Sequence, residues 1–340
     1  MPEQYTRIVA ARRGGPEVLE IQADELREPG PGEARVRVLR AGAAFGDLMW
    51  QSGKVPGSPK PPFTPGYDLV GVVEVLGPGS TALQVGQTVA ALIQFGGYSE
   101  YATVPFDKLV PVPEGLDPSQ VVCLTMNHLT GYQVIRRIAK LSPGQRVLVH
   151  GAAGGAGTAM LQLGQLMGLE MFGTASAAKH KAVESLGAVP IDYRTEDFVE
   201  RIARLTGDGV DLVVDHIGGN HLKRSFQALR PGGTLVSTSA YGAVQGQVGA
   251  LENLTGFIRL PVWNLLPNGK KALLFNVAPY NKKNPSYLGE DLPVLLSYLA
   301  EGRLKPLIAA EFPLAEARRA QEMILQARAV GKVILVCAEA

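Results

Sequence analysis

Two rhythms of apolar and polar positions divide the chain. Through residues 6 to 120 the apolar positions fall in short runs: Ala34-Arg35-Val36-Arg37-Val38-Leu39 alternates with period two, and Val70–Leu76 and Thr88–Ile93 read as further strands. Pro29-Gly30-Pro31-Gly32, Pro65-Gly66 and Gly77-Pro78-Gly79 punctuate them as turns, so a β-rich barrel- or sandwich-like module is expected. From about residue 124 the rhythm changes. Strands are predicted at Arg146–His150, Glu170–Thr174, Val189–Asp192, Val210–Asp215, Gly233–Ser237 and Ala272–Val277. Helices are predicted between them at Thr158–Met167, Ala177–Leu186, Glu196–Thr206 and Leu222–Leu229. Such alternation indicates βαβ units and a parallel sheet. Two amphipathic helices, Asp291–Glu301 and Leu314–Ala327, and a strand at Lys332–Val336 close the chain. They are too few for a third domain and are expected to complete the first.

Length and composition agree with two domains. The 340 residues are 46% hydrophobic and 19% charged, enough to bury two cores of ordinary size. Thirty-three basic residues balance 31 acidic ones to a net charge of +2, with no Lys/Arg stripe for nucleic acid. Arg136-Arg137 and Lys270-Lys271 read as solvated pairs. Two cysteines, Cys123 and Cys337, cannot build a disulfide framework or a cysteine-rich zinc site, so a reduced, cytoplasmic setting is expected. Met1–Arg7 lacks the apolar core of a secretory signal, and no stretch is long and apolar enough to suggest a membrane partner.

The chemistry begins at His150-Gly151-Ala152-Ala153-Gly154-Gly155-Ala156-Gly157, a glycine-rich turn between a predicted strand and a predicted helix. Small residues there let the backbone approach a pyrophosphate, whose charge is met by N–H groups at the helix start. Gly157 would let helix and strand pack closely. An NAD-selective site carries an acidic residue about 20 residues further on, on the ribose 2′-OH. This chain instead reads Phe172-Gly173-Thr174-Ala175-Ser176-Ala177-Ala178-Lys179-His180-Lys181, with no carboxylate. Ser176 and Lys179 can hold a 2′-phosphate that a carboxylate would repel, so NADPH is expected over NADH. Lys179 and Lys181 as plain solvated helix residues are the alternative.

With these residues in view, the chain resembles the zinc-free, quinone-oxidoreductase-like branch of the medium-chain dehydrogenase/reductase superfamily. The likeness spans Gly14–Leu19, Pro29–Glu33, the Asp47 segment, Pro65–Gly71, Gly86–Val89, Leu129–Tyr132, the glycine turn and Gly331–Leu335. It implies a doubly wound Rossmann domain, here 125–280, and a β-rich GroES-like substrate domain from both chain ends, here 1–124 and 281–340. It also implies a homodimer and a small-molecule acceptor. By motif position Ala153, Gly154, Gly155 and Ala156 would bind cofactor, with Ser176, Lys179, Tyr193 and Arg328 around the 2′-phosphate. Thr130 and the segment Phe275-Asn276-Val277 would line the nicotinamide side.

Missing residues sharpen the reaction class. Ala44 stands where zinc-dependent relatives show a ligand region and many zinc-free ones an Asn, and Gly53-Lys54-Val55-Pro56-Gly57 lacks a tyrosine that enoyl reductases often carry. Without a Lewis acid, alcohol oxidation by the metal route is not expected. Hydride delivery to an enone, quinone or enoyl thioester is. Asp47, Tyr67 and Asn127 are the candidate catalytic groups, with His128 and Lys54 behind them. Asp47 could orient the site or cap a helix, Tyr67 could act or simply pack, and Asn127 could donate to the acceptor or start a helix. A cofactor-binding protein without catalysis is the alternative function, and an alcohol dehydrogenase a third. The segment 241–271 is expected either to cover the substrate or to join two protomers.

Overall fold

The alternation in Ala34–Leu39 is realised as a strand with Ala34, Val36 and Val38 fully buried and the intervening arginines turned outward. The computed structural model describes residues 4–339 except Pro56, Ser80, Ser239, Ala240, Gln245, Gln247 and Val248, and the backbone alone at Ala243, Ala250, Leu251, Asn253 and Leu254. In chain order the strands are β1 (Gln4–Ala10), β2 (Leu19–Glu25), β3 (Glu33–Ala43), β4 (Asp68–Leu76) and β5 (Thr88–Leu92). They continue as β6 (Tyr101–Pro105), β7 (Leu109–Pro111), β8 (Arg146–His150), β9 (Glu170–Ala175) and β10 (Ala188–Asp192). The last five are β11 (Val210–Asp215), β12 (Leu229–Ser237), β13 (Lys271–Leu274), β14 (Ile308–Pro313) and β15 (Lys332–Val336).

Two compact units result, Met1–Leu129 with Val277–Ala340, and Thr130–Asn276. The divisions fall at 129/130 and 276/277, a few residues from the expected 124/125 and 280/281. In the first unit a mostly antiparallel sheet runs β14-β15-β3-β4-β5-β7, with β6 also on β3 and a separate β1–β2 hairpin. Ile8, Val36, Leu69, Val89, Tyr98, Val333 and Leu335 fill its core. The returning strand β15 lies antiparallel to β3, Val333 against Ala43 and Leu335 against Ala41. Its first residue, Lys332, is 2% exposed and reaches Asp68 Oδ2 at 2.9 Å and Oδ1 at 3.1 Å. A Cβ on Gly42 would collide with this ammonium, so the pair has room only beside glycine.

The second unit is a six-stranded, wholly parallel sheet in the order β10-β9-β8-β11-β12-β13. The chain builds outward through β9 and β10, then crosses back to β11, so the strand order reverses at β8. This is the doubly wound topology, in which ligands bind beyond the strands' carboxyl ends at the reversal. Leu148, Phe172, Ile191, Phe198, Ile202, Val213, Leu222 and Leu235 form one core cluster under the flanking helices.

Boundaries differ from expectation where local geometry overrides periodicity. The helix expected at Thr158 already begins at Gly155. Ala177–Leu186 splits into a 3-10 turn, Ala177–Lys179, and a helix, His180–Ser185. Leu314–Ala327 likewise becomes a 3-10 turn and the helix Ala317–Leu325. The strand expected over Ala272–Val277 stops at Leu274, because a helix starts at Val277. Within 241–271 the helix Ala250–Trp263 packs on β13; Gln245, Gln247 and Val248 of that segment, and Pro56, lie outside the described residues. No helix among the described residues is long and apolar enough to cross a membrane.

Lys332→Met, which strands Asp68 as a buried unpaired carboxylate, should cost about 3–5 kcal/mol in chemical denaturation. Replacing both partners by apolar residues should recover much of it. A single-variant loss below about 1 kcal/mol would show that the pair is not needed.

Candidate nucleotide-binding site

Strand β8 delivers its last residue, His150, directly into the glycine turn. Gly151 has φ 69°, a left-handed conformation that disfavours any side chain. Its carbonyl accepts the Gly154 N–H at 3.0 Å, closing the turn. The helix Gly155–Leu166 then starts from Gly154 with no side-chain cap, so its first N–H groups are left for an anion in front of them. A Cβ on Gly157 would sit 2.7 Å from Ala152 Cα and clash with the Gly151 carbonyl. Gly157 therefore has the packing role expected from the sequence, and the turn forms a cradle whose walls are backbone.

Beneath the turn runs a buried polar chain. His150 Nδ1 lies 3.0 Å from Thr174 Oγ1, which also accepts the Gly151 N–H at 3.4 Å. His150 Nε2 lies 3.1 Å from Ser225 Oγ, whose hydroxyl donates to Asp215 Oδ2 at 2.6 Å. Asp215 Oδ2 also takes His221 Nδ1 at 2.7 Å, and Oδ1 accepts the Ile217 and Gly218 N–H groups at 2.7 and 3.0 Å. Burial pushes the His150 imidazole well below its usual range. Burial opposes the Asp215 charge, yet the His221 and Ser225 hydrogen bonds hold its carboxyl well below the ordinary value. The protons count out along the chain: a neutral His150 donates from Nε2 and accepts at Nδ1. His150, Asp215 and His221 bring three metal-capable donors within 4.8 Å, the one such group among the described residues, but each is already engaged in this chain.

At the end of β9, Ser176 opens the 3-10 turn that carries Lys179, with the Lys179 N–H on the Ser176 carbonyl at 2.8 Å. Partial burial lowers the Lys179 ammonium's pKa. Tyr193, just past β10, is 55% exposed, and the Arg194 guanidinium lies 5.8 Å from its ring centre. Sequence reading passed over Arg194; its adjacency to Tyr193 was the available signal. Phe275, 3% exposed, is fixed past β13 by its N–H on the Ser237 carbonyl at 2.8 Å. Thr130, 8% exposed, opens this same unit. Thus Thr130, Ala153, Gly154, Gly155, Ala156, Ser176, Lys179, Tyr193 and Phe275 share the parallel-sheet unit, while Val277 and Arg328 belong to the other. Val277 is buried; Arg328 is exposed in the turn after helix Ala317–Leu325.

The catalytic candidates lie in the first unit. Asp47 stands at the third position of the helix Phe45–Ser52: Oδ2 accepts the Ala44 N–H and the Tyr98 hydroxyl, each at 2.9 Å, and Oδ1 accepts the Gly66 N–H at 3.1 Å. Burial pushes its carboxyl up to about 7 against those bonds. The Ala44 bond is the helix-start contact that was one of the two roles open from sequence. Tyr67 is 3% exposed and its hydroxyl accepts Trp50 Nε1 at 2.6 Å. Asn127, 5% exposed, sits on the π-helical segment Leu124–His128, a wider turn often found at functional sites. His128 Nδ1 is held 3.1 Å from the Cys123 carbonyl, and Lys54 is exposed.

A parallel sheet with a glycine cradle at its reversal, joined to a discontinuous β-rich unit, defines a two-domain nicotinamide-type dehydrogenase fold. The chain belongs to the medium-chain dehydrogenase/reductase superfamily, in its quinone-oxidoreductase-like branch. The family model described as an alcohol dehydrogenase GroES-like domain matches residues 30–114, and that described as a zinc-binding dehydrogenase matches residues 186–335. The chain is 33% identical to the synaptic vesicle membrane protein VAT-1 homolog of Homo sapiens, over 91% of this chain and 80% of that one. It is 30% identical to a 2-haloacrylate reductase of Burkholderia sp, over 96% and 98% of the two chains. The crystal structure of Escherichia coli quinone oxidoreductase complexed with NADPH superposes with a TM-score of 0.87 at 28% identity, covering 97% of this chain and 99% of that one. The 2-haloacrylate reductase and the quinone oxidoreductase are oxidoreductases, and NADP(H) binding is supported in the family.

One family description names zinc, and the thiols of this chain are Cys123 and Cys337, both pushed up to about 12 by burial in the metal-free chain. Among the described residues the first unit gathers no trio of His, Cys, Asp and Glu donors.

The buried His150 has a stability consequence. Its folded pKa is depressed, so its contribution is complete above the unfolded histidine value near 6.5 and is lost as pH falls below it. Asp47, raised, slopes the other way, its contribution being lost as pH rises toward about 7. The stability difference between wild type and His150→Gln isolates the first effect. It should move against the wild type as pH falls from about 6.5 to 5 in urea titrations, and a flat difference would refute a buried neutral His150.

Proposed function

We propose that this protein is an NADPH-dependent reductase that delivers hydride to an activated C=C bond or a quinone. The observation that carries it is the uncapped cradle at Gly154–Gly155 together with a second strand, β9, followed by Ser176 and Lys179 and no carboxylate. Ala153, Gly154, Gly155 and Ala156 would hold the pyrophosphate, and Ser176, Lys179 and Tyr193 the 2′-phosphate, with Arg194 a further cation beside Tyr193. Bound there, the dinucleotide supplies hydride. In an enone, an enoyl thioester or a 2-haloacrylate, conjugation already makes the β-carbon electrophilic, so the protein's task is chiefly placement. Donors then stabilise the developing enolate, and a side chain or water returns a proton. Asp47 accepts three hydrogen bonds, which leaves Asn127 and Tyr67 as the candidate donors, with His128 and Lys54 behind them. Likeness to the 2-haloacrylate reductase and to the NADPH-bound quinone oxidoreductase supports this reading.

A second reading, NADPH binding without turnover, draws on the engagement of Asp47 and Tyr67 and on the likeness to VAT-1 homologs. Steady-state oxidation of NADPH across an enone, quinone, 2-haloacrylate and enoyl-thioester panel separates the two. Turnover with at least one class is expected; tight NADPH binding with none would favour the second reading. Lys179→Glu should weaken NADPH by about tenfold or more while leaving NADH little changed, as a charge reversal at a phosphate contact requires. Equal losses for both cofactors would remove Lys179 from the 2′-phosphate.

We also propose a cytoplasmic homodimer. Edge strand β13 has β12 as its sheet neighbour, Leu274 on it is 56% exposed, and Ile258, Val262, Leu265 and Leu266 beside it are exposed apolar residues. Light scattering should give twice the monomer mass, and Leu274→Lys should shift it toward one.

A further inference from the structure

His216 follows Asp215 at the carboxyl end of β11, the first strand beyond the reversal at β8. Its Nδ1 is hydrogen-bonded to Thr238 Oγ1, past the end of β12. The Cδ2 edge of the ring faces the glycine turn: a Cβ on Gly151 would lie 3.9 Å from Cδ2. Nε2, the next ring atom, is buried and has no hydrogen-bond partner among the described residues. A buried polar nitrogen is costly to leave unmatched, so its place beside the cradle suits a polar ligand atom.

The chemistry of that ligand follows from the ring. Burial pushes His216 down to about 4, so the imidazole is neutral and carries one proton. If the Thr238 hydroxyl donates to Nδ1, Nε2–H is an unmatched donor; if Nδ1 donates to Thr238, Nε2 is an unmatched acceptor. A hydroxyl satisfies either tautomer, because it both donates and accepts. A phosphate oxygen satisfies one of them. The sheet's two halves split the dinucleotide at the reversal, the β9–β10 side taking the adenosine half and the β11–β12 side the other. Ser176 and Lys179 lie on the first side and His216 on the second.

Resting on the reading that this chain binds NADP(H), we propose that His216 Nε2 hydrogen-bonds a ribose hydroxyl of the nicotinamide half of the dinucleotide, positioning that half across the glycine turn. Two probes test it by calorimetry: NADP+, which carries that ribose, and adenosine 2′,5′-bisphosphate, which lacks it. Wild type should bind both. His216→Leu should weaken NADP+ by about tenfold and leave the bisphosphate within about twofold, the size expected for one lost hydrogen bond. His216→Gln, which keeps a donor and an acceptor on its amide, should restore most of the affinity. In wild type with ¹⁵N-labelled histidine, the His216 Nε2 resonance should move on adding NADP+ and stay in place with the bisphosphate; this arm stands even where a variant fails to fold. Unchanged NADP+ affinity in His216→Leu, an equal loss for both probes, or an unmoved Nε2 resonance would overturn the proposal. A wild type that binds neither probe would instead overturn the cofactor reading beneath it.

Discussion

The cradle depends on the hydrogen-bonded chain from Thr174 through His150 and Ser225 to Asp215. Glycines permit the turn but do not fix it, since each brings more conformational freedom to the unfolded chain than any other residue. Fixation comes from below. Thr174 at the end of β9 meets both the His150 ring and the Gly151 N–H, while Ser225 and Asp215 tie the same ring to the helix His221–Gln227 and to β11. Three neighbouring strands and a helix thus share one polar link at the level where the backbone must stand still for a phosphate. A low local dielectric strengthens such a chain when every member is matched and penalises it when one is not. His150 can therefore be neutral and buried where a lone histidine would be a liability.

The other unit meets its buried charges by different means. Asp68 is given a cation, Lys332, that arrives from the far end of the sequence. Asp47 is given two N–H groups and the Tyr98 hydroxyl. The first arrangement fixes topology, because the ammonium can reach Asp68 only when β15 is inserted beside β3 and Gly42 leaves space. The second fixes a local turn between the helix Phe45–Ser52 and the Gly66 segment. Asp47 was a candidate from the sequence and Asp68 was not; both carboxyls are buried and hydrogen-bonded.

Legibility followed the same line. Arg146–His150, Val210–Asp215 and Lys332–Val336 could be bounded to the residue because each is an apolar run closed by a charged, histidine or glycine-rich boundary. The short strand β7, the hairpin β1–β2 and the strand β14 lack such contrast; Leu19–Glu25 is largely exposed and gains order from pairing with β1 rather than from its own pattern. The cradle was legible because it is local, one turn between one strand and one helix. The hydrogen bonds of Asp47 and Tyr67 were not, since they run to Tyr98 and Trp50, partners that sequence spacing does not bring together. His216 escaped notice for the same reason: its meaning comes from a Nε2 atom left over after Thr238 has taken the other nitrogen.

Unmatched polar atoms also differ between the two units in a way that bears on function. Among the buried side-chain atoms without a hydrogen-bond partner, Arg7 Nε and Arg201 Nε still face carboxylates in ion pairs, and Gln321 leaves one amide oxygen over while its nitrogen bonds Gln51. Among the described residues the remaining two, His216 Nε2 and Ser237 Oγ, stand at the carboxyl ends of adjacent strands β11 and β12, with the His216 ring facing the glycine turn. A scaffold that matches Asp215, His150 and Thr174 so completely one layer below would match these too if folding were their only purpose. Unspent hydrogen-bonding capacity at the sheet's reversal is what a binding surface for a polar, phosphate-bearing ligand requires. In the first unit the buried carboxyls Asp47 and Asp68 are met by its own donors, Ala44, Gly66, Tyr98 and Lys332.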